Sequence, residues 1–199
     1  MMEIDAKLVK ELRDKTGAGI MDCKEALKEA EGDIEKAKEV LKKKGLSEAE
    51  DKRGRATKEG RVGSYIHGEG KIGVLIEVNC ETDFVAKNDE FKELVKNLAM
   101  QVAASKPTAV RREELDQEAI EKEREIFKEK MREQGKPEKI LDQIVDGMME
   151  KRYYKKVCLL DQPYIRDTDM SVEEYIKSKI AKLGENIQVE RFERFELGE

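Results

Sequence analysis

Two apolar runs with a period of two flank Gly68-Glu69-Gly70, and no other feature of the chain constrains its fold as strongly. Val62, Ser64 and Ile66 alternate with smaller or polar neighbours, and Ile72, Val74, Ile76 and Val78 alternate again after the glycines. That is the signature of an antiparallel hairpin. A three-residue loop at 68–70 pairs Ile66 with Ile72 and Val62 with Ile76, which puts both apolar sets on one face. A two-residue loop does not, so the longer loop is expected. The same residues continue as Gly68-Glu69-Gly70-Lys71-Ile72-Gly73, a match to G-x-G-x-x-G. A dinucleotide site needs a helix after those glycines to hold the pyrophosphate. Here a strand follows, and the match reads as a turn.

Helical periodicity surrounds the hairpin. Ile4, Leu8 and Leu12 recur every four residues, and Lys15-Thr16-Gly17-Ala18-Gly19 breaks the pattern. The glycines of that break precede a helix, but no strand leads into them and no G-K-[ST] follows, so a phosphate loop is not expected. A second helix carries Ile20, Cys23, Leu27 and Ala30, and Gly32-Asp33 stops it and caps a third with Ala37, Val40 and Leu41. Gly45 is expected to end that third helix. Residues 1–46 are therefore read as a three-helix domain. Residues 47–61 hold no apolar side chain larger than alanine and are read as a linker, and residues 62–199 as an α+β core.

Within that core, Asp89 is expected to cap a helix with Phe91, Leu94, Val95, Leu98 and Val102 on one face. A charged helix over 112–133 has a thin stripe of Leu115, Ala119, Ile126 or Phe127, and Met131. After Gly135-Lys136-Pro137 comes a helix with Ile140, Leu141, Ile144, Val145 and Met148 on its buried side. Ser171-Val172-Glu173-Glu174 matches a capping box that opens a final helix ending at Gly184. Ile187 and Val189 then alternate, and the phase shifts to Phe192, Phe195 and Leu197, as a strand with a bulge near Glu190 would require. The fold class is α+β, a helical bundle followed by a small antiparallel sheet of about three strands packed with helices.

Composition narrows the chemistry. The 40 Lys and Arg face 45 Asp and Glu, a net charge of −5 in a chain that is 43% charged. Neutralising a row of phosphates needs a basic excess, so nucleic acid is a poor partner for this surface. Charges crowd the first twenty residues, and the longest uncharged run, Asn97 to Ser105, falls far short of the roughly 18 residues that span a bilayer. A soluble cytoplasmic chain is expected. Three scattered cysteines, Cys23, Cys80 and Cys158, fit reduced thiols better than a disulfide framework. His67 is the single histidine and lies, at about 3.3 Å per residue, roughly 30 Å from Cys80 along the strand, too far for a dyad. No cofactor or metal set stands out, and an enzyme is not expected.

One segment is out of character. Glu81-Thr82-Asp83-Phe84-Val85-Ala86-Lys87-Asn88 joins the most apolar strand to the amphipathic helix, yet carries a large aromatic. On pattern alone, Phe84 either folds back into the core or protrudes as an apolar anchor beside Asp83.

Two stretches carry a family resemblance. Leu8-Val9-Lys10-Glu11-Leu12-Arg13 and Thr16-Gly17-Ala18-Gly19-Ile20-Met21-Asp22-Cys23-Lys24-Glu25-Ala26-Leu27 resemble the amino-terminal signature of the bacterial elongation factor Ts family. Glu77-Val78-Asn79-Cys80-Glu81-Thr82-Asp83-Phe84-Val85-Ala86 resembles its second signature. The likeness is strong over roughly residues 4–105 and diffuse beyond. It implies a guanine-nucleotide exchange factor for elongation factor Tu, with a ubiquitin-associated-like helical domain that docks through Arg13, Ile20, Met21 and Lys24. It also implies that Thr82, Asp83, Phe84 and Val85 intrude near the partner's magnesium and phosphate site, with Phe84 exposed and wedged between helices. Many members are longer, with a duplicated core half and a coiled-coil excursion. This chain has room for one core unit, so a homodimer in a two-plus-two complex is expected, with the strand at 186–197 the first candidate for the subunit contact. The competing expectation is a helical adaptor or RNA-associated binding module without exchange activity.

Overall fold

A computed structural model describes residues 4–198 of the chain. The amino-terminal helices are α1 (Ala6–Thr16), α2 (Ile20–Glu29) and α3 (Ile34–Lys52). Asp5 caps α1 by accepting a hydrogen bond from the Lys7 N–H at 2.9 Å, and Gly17 closes it at φ 70°, donating its N–H to the Arg13 carbonyl. Asp33 caps α3 through the N–H groups of Glu35 and Lys36. Between the three helices Leu12, Cys23, Leu27 and Ala37 are fully buried, with Val9, Ala26 and Ala30 around them.

The third helix does not stop at Gly45. It runs seven residues further, to Lys52, and buries Ala49. Gly45 serves a close approach instead: a Cβ there would come 3.1 Å from the Cβ of Ala181 on α9 (Val172–Leu183). Lys42–Glu174 and Lys177–Glu50 ion pairs flank the contact. A helical glycine can mark thin packing as well as a helix end, and the sequence pattern alone does not distinguish the two.

The chain divides into two compact units. The first holds the chain through Arg61, Asn79–Leu94 and Glu174–Gln188; the second holds Val62–Val78, Val95–Glu173 and the chain from Val189. Strands β1 (Glu59–His67), β2 (Ile72–Cys80) and β5 (Ile187–Glu196) form one sheet in the order β1-β2-β5. In the second unit Val74, Ile76 and Val78 are buried on one face of β2, and so are Val95, Leu98 and Val102 of α5 (Asp89–Ser105). A Cβ on Gly63 would lie 2.3 Å from Val95 Cγ1, so the glycine is what lets α5 lie this close to β1.

That packing corrects the expected register. Gly63 neighbours Ile76, Gly73 neighbours Ile66, and the Lys71 N–H closes a turn on the Gly68 carbonyl at 3.2 Å. Val62 and Ile66 therefore lie on the opposite face from Val74 and Ile76, and both are exposed. A one-residue slip inverts every side chain of a strand, and apolar alternation in β1 reports its outer face. Along β5, Glu190 and Arg191 are consecutively exposed, and half-buried positions resume at Phe192, Arg194 and Glu196. The burial phase thus slips near Glu190, but of the apolar residues beyond it only Phe192 is half-buried, and Phe195 and Leu197 are exposed.

Further along, α6 (Gln117–Glu133) begins later than expected, behind a 3-10 turn at Arg112–Glu114 and an Asp116 cap. Its inner stripe includes Phe127 and Met131, whereas Ala119 and Ile126 are exposed. Phe127 and Met131 pack with Leu141, Ile144 and Met148 of α7 (Glu138–Met148), and the pairs Arg124–Asp146, Lys128–Asp142 and Arg132–Glu138 are spaced four residues apart along both helices. A π-helical turn at Met149–Tyr154, the short α8 (Lys155–Val157) and a small hairpin of β3 (Pro163–Tyr164) and β4 (Asp167–Ser171) follow, and none is anticipated by periodicity. No helix among the described residues is long and apolar enough to cross a membrane.

Candidate functional site

The segment after β2 is a capped turn. Burial raises the Cys80 thiol to about 11, and its Sγ donates to the Thr82 carbonyl at 3.2 Å. Thr82, extended at φ −129°, is the cap of α4 (Asp83–Lys87), its hydroxyl accepting from the Val85 N–H. The Ala86 N–H reaches the Thr82 carbonyl at 3.2 Å, and the Asn88 N–H reaches Val85 at 3.0 Å. Each helical residue turns about 100°, so positions two apart face nearly opposite ways. Ala86 is buried, and Phe84, two residues earlier, is 82% exposed. The turn that seats Ala86 is the one that turns the ring outward.

Charges order the rim of this turn. Lys87 Nζ donates to the Asp83 carboxylate at 2.6 Å, and that hydrogen bond holds Asp83 below the usual carboxylate range. Asn88, rather than Asp89, caps the next helix, its side chain accepting from the Glu90 N–H at 2.8 Å. Asp89 instead pairs with Lys92 at 2.7 Å. Glu90 bridges Lys179 at 2.7 Å and Lys182 at 2.6 Å, which lowers its carboxyl to about 2. Among the described residues, no group of three or more His, Cys, Asp or Glu is placed to hold a metal ion.

A second set of exposed apolar groups opens α2. Gly19 precedes that helix in an extended conformation, and a Cβ on it would meet the Asp22 carboxylate at 2.6 Å. Asp22 also pairs with Lys44 at 2.6 Å, which raises the Lys44 ammonium above its ordinary value. Cys23, Ala26 and Leu27 face the core, leaving Ile20 and Met21 exposed in the first turn. Arg13 and Lys24 are exposed as well. All eight residues singled out from the sequence fall in the first compact unit. Two of them are already engaged within the chain, the Thr82 hydroxyl by Glu185 and the Asp83 carboxylate by Lys87.

Sequence reasoning passes over Glu185. Its carboxylate accepts from the N–H groups of Glu81 at 3.1 Å and Thr82 at 3.0 Å and from the Thr82 hydroxyl at 2.6 Å. The residues are more than 100 positions apart in a chain with 45 acids, so no local pattern links them.

Fold and display together define a class: an α+β protein that holds isolated apolar side chains outward on capped, ion-paired turns. The model of one family, Elongation factor TS, matches residues 7–199. The chain is 57% identical over all of its 199 residues to elongation factor Ts of Desulforamulus reducens, covering 91% of that protein. It is 57% identical over 98% of its length to that of Carboxydothermus hydrogenoformans, covering 90% of it. To that of Coprothermobacter proteolyticus it is 56% identical, with the whole of both chains covered. The chain belongs to the elongation factor Ts family, which places it in translation elongation.

Proposed function

We propose that the chain is a guanine-nucleotide exchange factor for elongation factor Tu, acting in the cytoplasm by binding and performing no bond chemistry. The observation that carries this reading is Phe84, 82% exposed on a turn fixed at both ends. In a surface that is 43% charged, an ordered and projecting aromatic is a docking group. Residues 1–46 dock on the partner through Arg13, Ile20, Met21 and Lys24. The capped turn of α4, in the same compact unit as these residues, presents Asp83, Phe84 and Val85 to the region that holds magnesium and phosphate, and Thr82 orders the turn.

One wedge is not enough. Burying a phenylalanine contributes about 1.5–3 kcal/mol, while a thousandfold faster release needs about 4 kcal/mol of barrier reduction. The exposed Ile20 and Met21 are the next apolar groups available. The test is release of fluorescent GDP from elongation factor Tu with wild type, Phe84→Ala and the double variant Ile20→Ala/Met21→Ala. Both variants are expected to be slower than wild type. Wild-type release by both would remove the site assignment, and no acceleration by wild type would leave the adaptor reading.

We further propose a homodimer. Val62, Ile66, Leu75, Phe195 and Leu197 are all exposed, and the contacts of Gly73 with Ile66 and of Lys71 with Leu197 bring their strands together in the second unit. A second copy of the chain is the occupant this apolar face suits, because a two-fold contact sets the same side chains against themselves. Light scattering should give twice the 22.9 kDa chain mass, and a single-chain species at micromolar concentration would remove the dimer.

A further inference from the structure

Phe84 projects from a turn of only five residues. So short a helix has almost no stability of its own, because nucleation costs more than one hydrogen-bonded turn returns. Something outside the turn must hold it. The Cys80 thiol contributes one weak contact, and the Thr82 cap contributes one hydrogen bond at 3.4 Å. The strongest polar contacts come from the segment after α9. Glu185 accepts three hydrogen bonds at 2.6 to 3.1 Å from Glu81 and Thr82. The pairing is reciprocal, since the Glu81 carboxylate accepts from the Asn186 N–H at 2.6 Å. Asn186 is itself buried, and its side-chain amide donates to the carbonyls of Arg53 at 3.2 Å and Arg55 at 2.8 Å. Arg55 also lies 3.6 Å from Glu81. The strand exit, the end of α3 and the end of α9 are thus fastened at one point.

We propose that Glu185 is a positioning residue: it fixes Glu81 and Thr82 so that Phe84 is presented outward in one orientation before any partner is met. The inference rests on the exchange reading for its consequence, but not for its geometry. Glu185 touches the wedge only through Thr82, whose hydroxyl donates to Glu185 and accepts from the Val85 N–H. Removing the carboxylate strands two backbone donors at the start of the turn, and the ring then samples many directions.

Two measurements test this on the full chain. The first needs no partner. Chymotrypsin cleaves after Phe84 only when the turn opens, and mass spectrometry reads that one bond. Glu185→Ala should speed this cleavage by about tenfold, the equivalent of roughly 1.4 kcal/mol and within what a hydrogen bond to a charged group is worth. Glu185→Gln keeps an acceptor oxygen and should restore most of the protection. Unchanged cleavage in Glu185→Ala overturns the proposal whatever the chain does to nucleotide.

The second is release of fluorescent GDP from elongation factor Tu across a range of exchange-factor concentrations. Glu185→Ala should lower the plateau rate about tenfold and leave the half-saturating concentration within about twofold, as loss of a positioned group rather than of docking surface. In a Phe84→Ala background it should cost nothing further, because the ring it positions is gone. Losses that multiply in the double variant overturn the proposal. If wild type fails to accelerate release, the exchange reading alone falls, and the cleavage experiment still decides the positioning role.

Discussion

Phe84→Ala separates folding from the proposed docking role, because the two make opposite demands on the ring. Because the ring is 82% exposed, folding buries less than a fifth of it. Scaled from about 1.5–3 kcal/mol for a fully buried side chain, that fraction is worth about 0.3–0.5 kcal/mol. For a chain of this length each kcal/mol moves the melting temperature by about 2–4 °C, so the variant should melt within about 2 °C of wild type. Docking is different. If the partner covers the ring, the whole of about 1.5–3 kcal/mol is lost, which is roughly 10- to 150-fold in release efficiency. Phe91, seven residues on, is the internal control because it is fully buried in α5. Its truncation removes about 3–5 kcal/mol of packing, or roughly 6–20 °C of melting temperature. Scanning calorimetry and the GDP-release assay on both variants decide the matter. The reasoning is refuted if Phe84→Ala melts as early as Phe91→Ala, which would mean the ring is packed, or if it releases GDP as fast as wild type.

Two further substitutions probe how the first unit is held. Gly45→Leu should lower stability by about 1–3 kcal/mol in urea unfolding, because even a Cβ there would meet Ala181 at 3.1 Å; an unchanged midpoint would show that α3 and α9 need not lie so close. Glu90→Gln tests the bridge to Lys179 and Lys182. Its carboxyl is lowered from 4.5 to about 2, so the ionised form is the one that the fold favours, and the stability this confers is present above pH 4.5 and lost as pH falls toward 2. Wild type should exceed Glu90→Gln in stability at pH 7, and the gap should close between pH 4.5 and 2; a gap that persists below pH 2 would refute the ion-pair account.

The sequence disclosed what periodicity can carry. The final helix ends where Gly184 takes φ 79°, and the buried face of α5 falls on the residues its spacing selects. Along α2, Cys23, Leu27 and the capping Ala30 are buried as their spacing selects, but Ile20, in phase with them, is exposed. Where it misled, a second physical use of the same residue type was at work. Gly45 is a helical glycine chosen for thin packing and not for a stop. Val62 and Ile66 alternate on the outer face of β1 because Gly63, with no side chain, takes the inner position beside Val95. The π-helical turn and the β3–β4 hairpin have no pattern longer than a few residues, so nothing periodic announces them. Of the site, periodicity leaves Phe84 between a buried and an exposed reading, and the turn that buries Ala86 places the ring outward. Glu185 was invisible, since a hydrogen bond across 104 positions leaves no trace in local spacing.

An exposed aromatic has a cost in solubility, and that cost is justified only if the ring docks efficiently. A side chain immobilised on binding forfeits about 0.5–1.5 kcal/mol, and a loop that must order with it forfeits more. On the proposed function, Thr82 and Asn88 cap the turn and Glu185 anchors it, so the backbone's ordering is complete before the partner arrives. Only the ring's own rotamers remain to be fixed. That leaves most of the ring's burial energy for distorting the nucleotide site. It also sets the limit on what the wedge can do, because coupling between exchange factor and nucleotide is reciprocal. Whatever the bound chain takes from GDP affinity, bound GDP takes from the chain's own. A wedge contributing about 1.5–3 kcal/mol can by itself lower nucleotide affinity by no more than that, and Ile20 and Met21 add to the coupling only to the extent that they too bind the nucleotide-free partner more tightly than the nucleotide-bound one.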